Sequence, residues 1–328
     1  MATAAVIGCG DVSVVHFEAI KGLPDVQLVA VCDTDPDAAA TAADRHRVPA
    51  FPDHRRLLEA VQPDVVHIST PHHQHADVAV DCLAAGVDVI LEKPLAHSPE
   101  DAQRIIDAAA EHPGSKIGVC FQNRYNAAVQ ALRSLIDSGD LGTVSGSAAT
   151  VLWHRTPAYY QAKPWRGRRE QSGGGVLINQ AIHTLDLVQW LVGDVTTVAG
   201  RAGTYSLEGV IDVEDTAQLV LGHGGGARSV FFATVANTVD APVTLDVTAE
   251  NATLHLRKDL TVVWADGRTE VVAERPAASG GRAYWGASHQ LLVADFYARR
   301  CEPEPFWISP REALKSLAIL HELYRLSY

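Results

Sequence analysis

Apolar positions in the first third of the chain fall into short, nearly continuous runs: AAVI ahead of Gly8, VQLVAVC at 26–32, DVVHIS at 64–69, VDVILE at 87–92 and KIGVC at 116–120. Between them lie ATAADRHR, HADVAVDCLAAG and PEDAQRIIDAAAEH, the last two with apolar residues at helical spacing. Strands that are apolar on both faces and alternate with helices build a parallel sheet covered on both sides. The pattern predicts a doubly wound α/β domain over residues 1–122.

Past residue 195 the texture changes. TTVAGRAGTYS, EDTAQLVLGH, ARSVFFATVANT, PVTLDVTAE, ATLHLRKD and LTVVWADG are strand-like runs punctuated by Gly, Asn and Asp, without helices between them. Such runs read as an antiparallel sheet. Helical stretches flank it at 177–193 and 309–326, the second opening on Ser309 and Pro310 as N-cap and first helical position. The expectation for 123–328 is an α+β domain on a large, mostly antiparallel, open-faced sheet, with alternation such as Val243, Leu245 and Val247 giving it an apolar face. Two domains also suit a chain of 328 residues.

Charge narrows the partners. Lys and Arg total 27 against 39 Asp and Glu, a net charge of -12, which argues against nucleic acid and against anionic membrane surfaces. No stretch approaches the roughly 18 apolar residues of a spanning helix, and MATAAVIGCG lacks the marks of a secretory leader. The five cysteines, at 9, 32, 82, 120 and 301, include no Cys-x-x-Cys pair and read as reduced thiols. A cytoplasmic protein is expected.

Gly8-Cys9-Gly10-Asp11-Val12-Ser13 follows the first strand and precedes a helical stretch, matching G-x-G-x-x-G with serine for the third glycine. The first two glycines allow a tight turn and let backbone N–H groups approach a pyrophosphate at a helix N-terminus. Asp33 closes the second strand at the roughly 20-residue distance from which a carboxylate takes the hydroxyls of a ribose. Its charge would repel a 2'-phosphate, and its neighbour Thr34 brings no cation, so NAD is expected over NADP. Together these features define a Rossmann dinucleotide site made by Gly8, Cys9, Gly10, Asp11, Val12, Asp33 and Thr34.

Three further segments follow predicted strands. They are Thr70-Pro71 with His73 and His75, Glu92-Lys93-Pro94, and Phe121-Gln122-Asn123-Arg124-Tyr125. The carboxyl ends of parallel strands are where an open α/β sheet binds ligands, so Thr70, Pro71, His73, His75, Glu92, Lys93 and Gln122 join the cofactor-side candidates. With Gly173-Gly174-Gly175-Val176-Leu177-Ile178-Asn179-Gln180-Ala181-Ile182-His183-Thr184-Leu185-Asp186, the ordered set resembles the glucose-fructose oxidoreductase, inositol dehydrogenase and rhizopine-catabolism (Gfo/Idh/MocA) family of NAD(P)-dependent sugar oxidoreductases, from Gly8 to the closing helix. The resemblance implies that Lys93 sits beside the nicotinamide and the reacting hydroxyl, that Trp165 and Arg166 reach back toward the cofactor, and that the exposed sheet face pairs subunits into a homodimer or homotetramer. It implies catalysis without metal. The adjacent His72, His73 and His75 also have no carboxylate at ligand spacing, so no metal is expected.

Asn179 and His183, four apart, share one helical face. The family commonly has aspartate at the first position. An amide hydrogen-bonds a hydroxyl but takes no proton, which leaves Lys93 and His183 as acid/base candidates, with Asp186 a possible orienter of His183. Trp153, Arg155 and Tyr159 interleave aromatic faces with donors, as carbohydrate recognition requires, and with Arg124, Gln180, Asn179, His183 and Lys93 complete the substrate-side set. Tyr284 and Trp285 are a possible further wall. The expected activity is NAD-dependent hydride transfer between nicotinamide and a sugar or sugar-derived polyol or carbonyl, including anhydrosugars, inositols and nucleotide sugars, in a cleft between the domains. The competing readings are an NAD-using glycosidase or epimerase with no net redox, and a non-catalytic dinucleotide or sugar sensor. Binding of NAD is expected to shield Cys9, Cys32 and Cys120.

Overall fold

The computed structural model describes residues 1–275 and 288–328; Tyr284 and Trp285 lie outside them. The N-terminal part runs β1 (Ala2–Ile7), α1 (Ser13–Lys21), β2 (Val26–Cys32), α2 (Pro36–His46), β3 (Ala50–Phe51), α3 (His54–Val61), β4 (Val65–Ile68), α4 (His75–Ala84), β5 (Asp88–Leu91), α5 (Pro99–Glu111) and β6 (Ile117–Val119). Local chemistry sets the helix starts. Asp35 accepts from the N–H groups of Asp37 and Ala38, Asp53 from those of Arg55 and Arg56, and Ser98 from that of Asp101, with Pro36 and Pro99 at first helical positions. The strands pair in parallel in the order β3-β2-β1-β4-β5-β6. Every residue of β4 and β5 is buried, which is why these runs lack polar alternation. The strand order reverses between β1 and β4, the position where doubly wound sheets open a crevice at their carboxyl ends. β3, a two-residue edge strand, is too short to leave a pattern in the sequence.

The next segment runs α6 (Ala127–Ser138), β7 (Val144–Leu152), α7 (Pro157–Ala162), α8 (Arg169–Ser172), α9 (Ile182–Val192), β8 (Val195–Gly203), β9 (Thr216–His223), β10 (Arg228–Thr234), β11 (Thr244–Ala249), β12 (Ala252–Arg257), β13 (Asp259–Trp264) and β14 (Thr269–Val272). The strands form one sheet, β14-β13-β12-β11-β7-β10-β9-β8, antiparallel except where β7 meets β10. β7 lies mid-sheet although its small, polar sequence VSGSAATVL carries little strand signal. Its glycine is a packing requirement, because a Cβ on Gly146 would lie 1.9 Å from the carbonyl oxygen of Arg228. One sheet face is covered by α6 and α9. Leu245 and Val247 are buried, whereas Val220, Val230, Phe232 and Val263 are exposed.

The chain closes with α10 (Ser288–Arg299) and α11 (Pro310–Ser327). Two compact units result, Met1–Gln122 with Ala277–Leu314, and Asn123–Pro276 with Lys315–Tyr328. The break after Gln122 falls where the strand pattern ends, but the second domain is not the uninterrupted 123–328. Packing supplies the reason: α10 lies against α1, and Phe296 and Phe306 fill the space over Gly118 of β6. Arg300 ties the segment to Asp88 at 3.0 Å and Asp64 at 3.4 Å.

Candidate active site

In the first unit, Gly8 ends β1 at φ +92°, and a Cβ there would come within 2.6 Å of the Ser69 backbone, so glycine is needed for the ends of β1 and β4 to abut. At Gly10 a Cβ would meet nothing within 4 Å. The protein therefore leaves that position open, as close approach of a ligand requires. Ser13 is buried and its hydroxyl donates to the Gly10 carbonyl at 2.7 Å, closing the turn where the third glycine would stand. The Asp33 carboxylate accepts from the N–H of Cys9 at 2.7 Å and of Asp35 at 2.9 Å, which fixes it against the glycine turn. Ser69 Oγ, Thr70 Oγ1 and Gln122 Oε1 are buried at the carboxyl ends of β4 and β6 with no hydrogen-bond partner among the described residues. Buried polar atoms left unpaired are costly. These, the open Gly10 and the amino end of α1 fit an extended polar, anionic ligand, as a dinucleotide is.

Lys93 is half-buried immediately after β5, followed by a cis peptide to Pro94. Glu92 is buried, and its Oε1 accepts from His16 Nε2 at 3.0 Å and His289 Nε2 at 3.1 Å. Burial alone would raise the Glu92 carboxyl, but the two imidazoles outweigh it and hold it well below the usual carboxylate range. His75 departs from its expected role. Its ring is fully buried, with Nδ1 2.8 Å from the Pro94 carbonyl and Nε2 3.0 Å from the Thr70 carbonyl. Burial pushes its pKa down to about 4, so the ring is neutral and braces the two ligand-side turns instead of offering a surface to the cofactor. Among the described residues, the metal-ligand atoms that converge are those of His16, Glu92 and Cys120, within 4.8 Å of one another, and not the His72–His75 run.

The cysteine expectation also changes. Cys32 and Cys120 are buried, with burial pushing the first thiol up to about 12 and the second well above its ordinary value. Cofactor binding has no reactive thiolate to shield there. Cys9 is partly exposed, and burial together with Asp33 pushes it up to about 12.

In the second unit, a π-turn over Leu177–Ala181 leads into α9. From Val176 to Gln189 every residue is buried except Asn179 and His183. A π-turn is a frequent mark of functional positions, and four residues bring the chain back to nearly the same face in either helix type. Arg124 does not join them. It is fully buried, and its Nε and Nη2 each donate to the Asp186 carboxylate at 2.7 Å, where Ser316 Oγ also donates at 3.0 Å. Arg124 and Asp186 are thus an internal pair, so Arg124 is withdrawn from substrate recognition and Asp186 from orienting His183. Arg155 lies over the rings of Trp153 and Tyr159, and Arg166 over those of Tyr159 and Trp165, at 4.6 to 5.8 Å. Gln180 Nε2 donates to the Tyr159 hydroxyl at 3.3 Å. Trp153, Arg155, Tyr159, Trp165, Arg166 and Gln180 form one aromatic–guanidinium cluster.

One residue of this unit has no signal in the sequence. Glu214 is fully buried and accepts from the N–H groups of Gly175 and Leu177 at 2.8 and 3.0 Å and from the Tyr324 hydroxyl at 2.8 Å. It anchors the π-turn, yet within EDTAQ nothing distinguishes it from a surface acid.

Residues 2–119 match the family model described as oxidoreductase family, NAD-binding Rossmann fold, and residues 129–255 match the GFO/IDH/MocA C-terminal domain. The chain is 29% identical to a D-apiose dehydrogenase of Paraburkholderia graminis, over 98% of this chain and 86% of that protein. It is 32% identical to the D-glucoside 3-dehydrogenase of Escherichia coli over 58% of this chain and 53% of that protein. The crystal structure of the WlbA dehydrogenase of Bordetella pertussis, in complex with NADH and UDP-GlcNAcA, matches at a TM-score of 0.84 and 31% identity, covering 99% of this chain and 95% of that one. The glycine turn, Asp33 at the end of β2, Lys93 at the end of β5 and the eight-stranded sheet are thus features of a chain that belongs to the GFO/IDH/MocA family of oxidoreductases, with an NAD-binding Rossmann fold.

Proposed function

We propose that the protein transfers hydride between NAD and a CH–OH group of a sugar or sugar-derived polyol, with Lys93 and His183 handling the hydroxyl proton and Asn179 positioning the hydroxyl. The observation that carries the reading is the place of Lys93: it stands at the carboxyl end of β5, and β4 and then β1 with its glycine turn are the next strands of the sheet. An amine held there next to a cofactor takes a proton from an alcohol, and the ammonium polarises a carbonyl. That Asn179 and His183 alone break the buried surface of their stretch supports their roles, and the dehydrogenase names of the relatives support the substrate class. The aromatic–guanidinium cluster suits a ligand with both C–H faces and hydroxyls.

The open sheet face, with Val230 paired to Val220 across β9 and β10 and Phe232 beside them, supports a homodimer or homotetramer. Among the described residues no helix is long and apolar enough to cross a membrane. The free thiols suit the reducing cytoplasm to which the reading assigns the protein.

The test is a panel of pentoses, hexoses, glycosides, anhydrosugars, inositols and nucleotide sugars assayed with NAD at several pH values. Lys93→Met should keep NAD binding and lower turnover by about 100-fold or more, the scale of a lost acid/base group. Near wild-type turnover in that variant, or net conversion of substrate without accumulation of reduced cofactor, overturns the reading.

A further inference from the structure

Beneath Glu92 the first unit holds an unbroken line of side-chain hydrogen bonds. Tyr297 Oη lies 3.0 Å from His67 Nε2, His67 Nδ1 lies 3.0 Å from His16 Nδ1, and His16 Nε2 lies 3.0 Å from Glu92 Oε1. Its members come from α10, β4, α1 and the end of β5. His16, His67 and Glu92 are buried, and Tyr297 is half-buried. A buried histidine facing another through like nitrogens is satisfied only if one ring donates and the other accepts, so the line has a polarity.

Glu92 sets that polarity. One carboxylate oxygen receiving two ring nitrogens accepts from both, so His16 carries a proton on Nε2, and in the neutral ring that the path requires its Nδ1 is bare. His67 then donates from Nδ1 and accepts at Nε2 from the Tyr297 hydroxyl. With this polarity each polar atom of the line is matched. Burial, and then the neighbouring His16, hold His67 well below its ordinary value, and burial keeps the Tyr297 phenol protonated. Among the described residues the other titratable or charged groups facing the line are His75, His289 and Cys120 at Glu92, and Arg300, Asp64 and Asp88 around Tyr297.

We propose that Tyr297, His67 and His16 form a proton path connecting Glu92, the residue next to Lys93, to the solvent side of α10. In the resting polarity Tyr297 gives its proton to His67 Nε2, His67 Nδ1–H passes to His16 Nδ1, His16 Nε2–H passes to Glu92, and Tyr297 regains a proton from water. One proton enters and Glu92 becomes the neutral acid. The rings are left in the mirror tautomers, from which the reverse sequence carries one proton out. A hydride transfer in a site closed to water consumes or releases one proton for each substrate converted; this line moves one such proton, and a second in the same direction follows once both rings have turned back to the first polarity. The proposal rests on the dehydrogenase reading for its use, while the path itself is testable without a substrate.

Histidine-selective 15N NMR of the intact protein should show His16 as the Nε2–H and His67 as the Nδ1–H tautomer. The His16 Nε2–H should exchange into D2O at least about 10-fold more slowly in Tyr297→Phe, which keeps the ring and removes only the hydroxyl, with thermal stability unchanged. Opposite tautomers, a doubly protonated ring or equal exchange in Y297F overturns the path. So does stoichiometric metal by elemental analysis, since a metal on His16 Nε2 would leave no proton there. With a substrate identified by the panel, Y297F should lower turnover in dilute buffer by about 10-fold, with restoration by added imidazole and KM unchanged; a loss that imidazole does not restore means a structural role only and overturns the proposal. If wild-type protein turns over none of the panel, the dehydrogenase reading fails while the exchange result still decides the path.

Discussion

The glycine turn after β1 and the glycine run before α9 look alike as sequence and differ in what occupies the space beside them. A Cβ on Gly10 would meet nothing within 4 Å, whereas one on Gly175 would lie 1.8 Å from the carbonyl oxygen of Glu214, and one on Gly174 would lie 2.1 Å from the Tyr324 hydroxyl. In the first segment the missing side chain leaves room for a ligand. In the second it lets the chain close on a buried carboxylate that holds a π-turn and, through it, Asn179 and His183. Glycine richness reports close approach without saying of what, and only the neighbours distinguish a binding turn from a packing turn.

The two buried glutamates of the units extend the contrast. Glu92 accepts from imidazoles and is held low, while Glu214 accepts from backbone N–H groups and a phenol, and burial pushes it up against those donors. At rest the first carries its charge next to Lys93 in the chain, and the second is a structural anchor.

The two turns differ most at Gly175. Gly175→Ala forces backbone apart in a packed core and should cost about 3 kcal/mol or more, lowering the melting temperature by roughly 6–12 °C or preventing recovery of folded protein; an unchanged melting curve would show that the run has slack. Gly10→Ala should do the reverse, leaving the melting temperature of the unliganded protein within about 1 °C while weakening NAD binding by about 10-fold, read by calorimetry.

Smaller effects separate the glutamates by pH. A carboxyl held low in the folded state adds stability above its unfolded pKa of about 4.3, and that stability is lost as pH falls through the folded value. The stability of Glu92→Gln should therefore fall less steeply than that of wild type on the acid side of pH 4.3. For Glu214, raised in the folded state, the sign is opposite: its stability is fully present below about pH 4.3 and is lost as pH rises toward the folded value, so Glu214→Gln should flatten that loss. Parallel behaviour of the two variants would erase the distinction. The smallest effect is expected in the glycine turn itself, where NAD should slow the already slow alkylation of Cys9 and leave Cys301, the exposed thiol, reacting first at an unchanged rate.

The first unit was largely legible because its signals are local. Buried parallel strands are apolar throughout, a tight turn needs glycine at Gly8, and Asp33 follows at a spacing set by one βαβ unit. β7 was not legible, since a central strand of serines, glycine and alanines is fixed by its partners β10 and β11 and not by its own propensity. The return of the segment ending at Leu314 to the first unit was hidden for a related reason: Phe296 and Phe306 have the composition of any core residue, and Gly118 shows which core only once β6 lies beneath them.

The candidate site divides in the same way. Residue types at strand ends are written in the chain, which suffices for a glycine turn, an acid and a lysine on one sheet edge, because the sheet places successive carboxyl ends side by side. Tertiary structure alone decided which donors are already spent. Arg124 reads as a substrate contact until Asp186 is found across from it, His75 as a cofactor contact until its ring is seen bridging two carbonyls, and Glu214 carries no signal until Tyr324 reaches it. Each depends on at least one partner 19 to 110 residues away, and no local pattern records a hydrogen bond whose two ends meet only after the chain has folded.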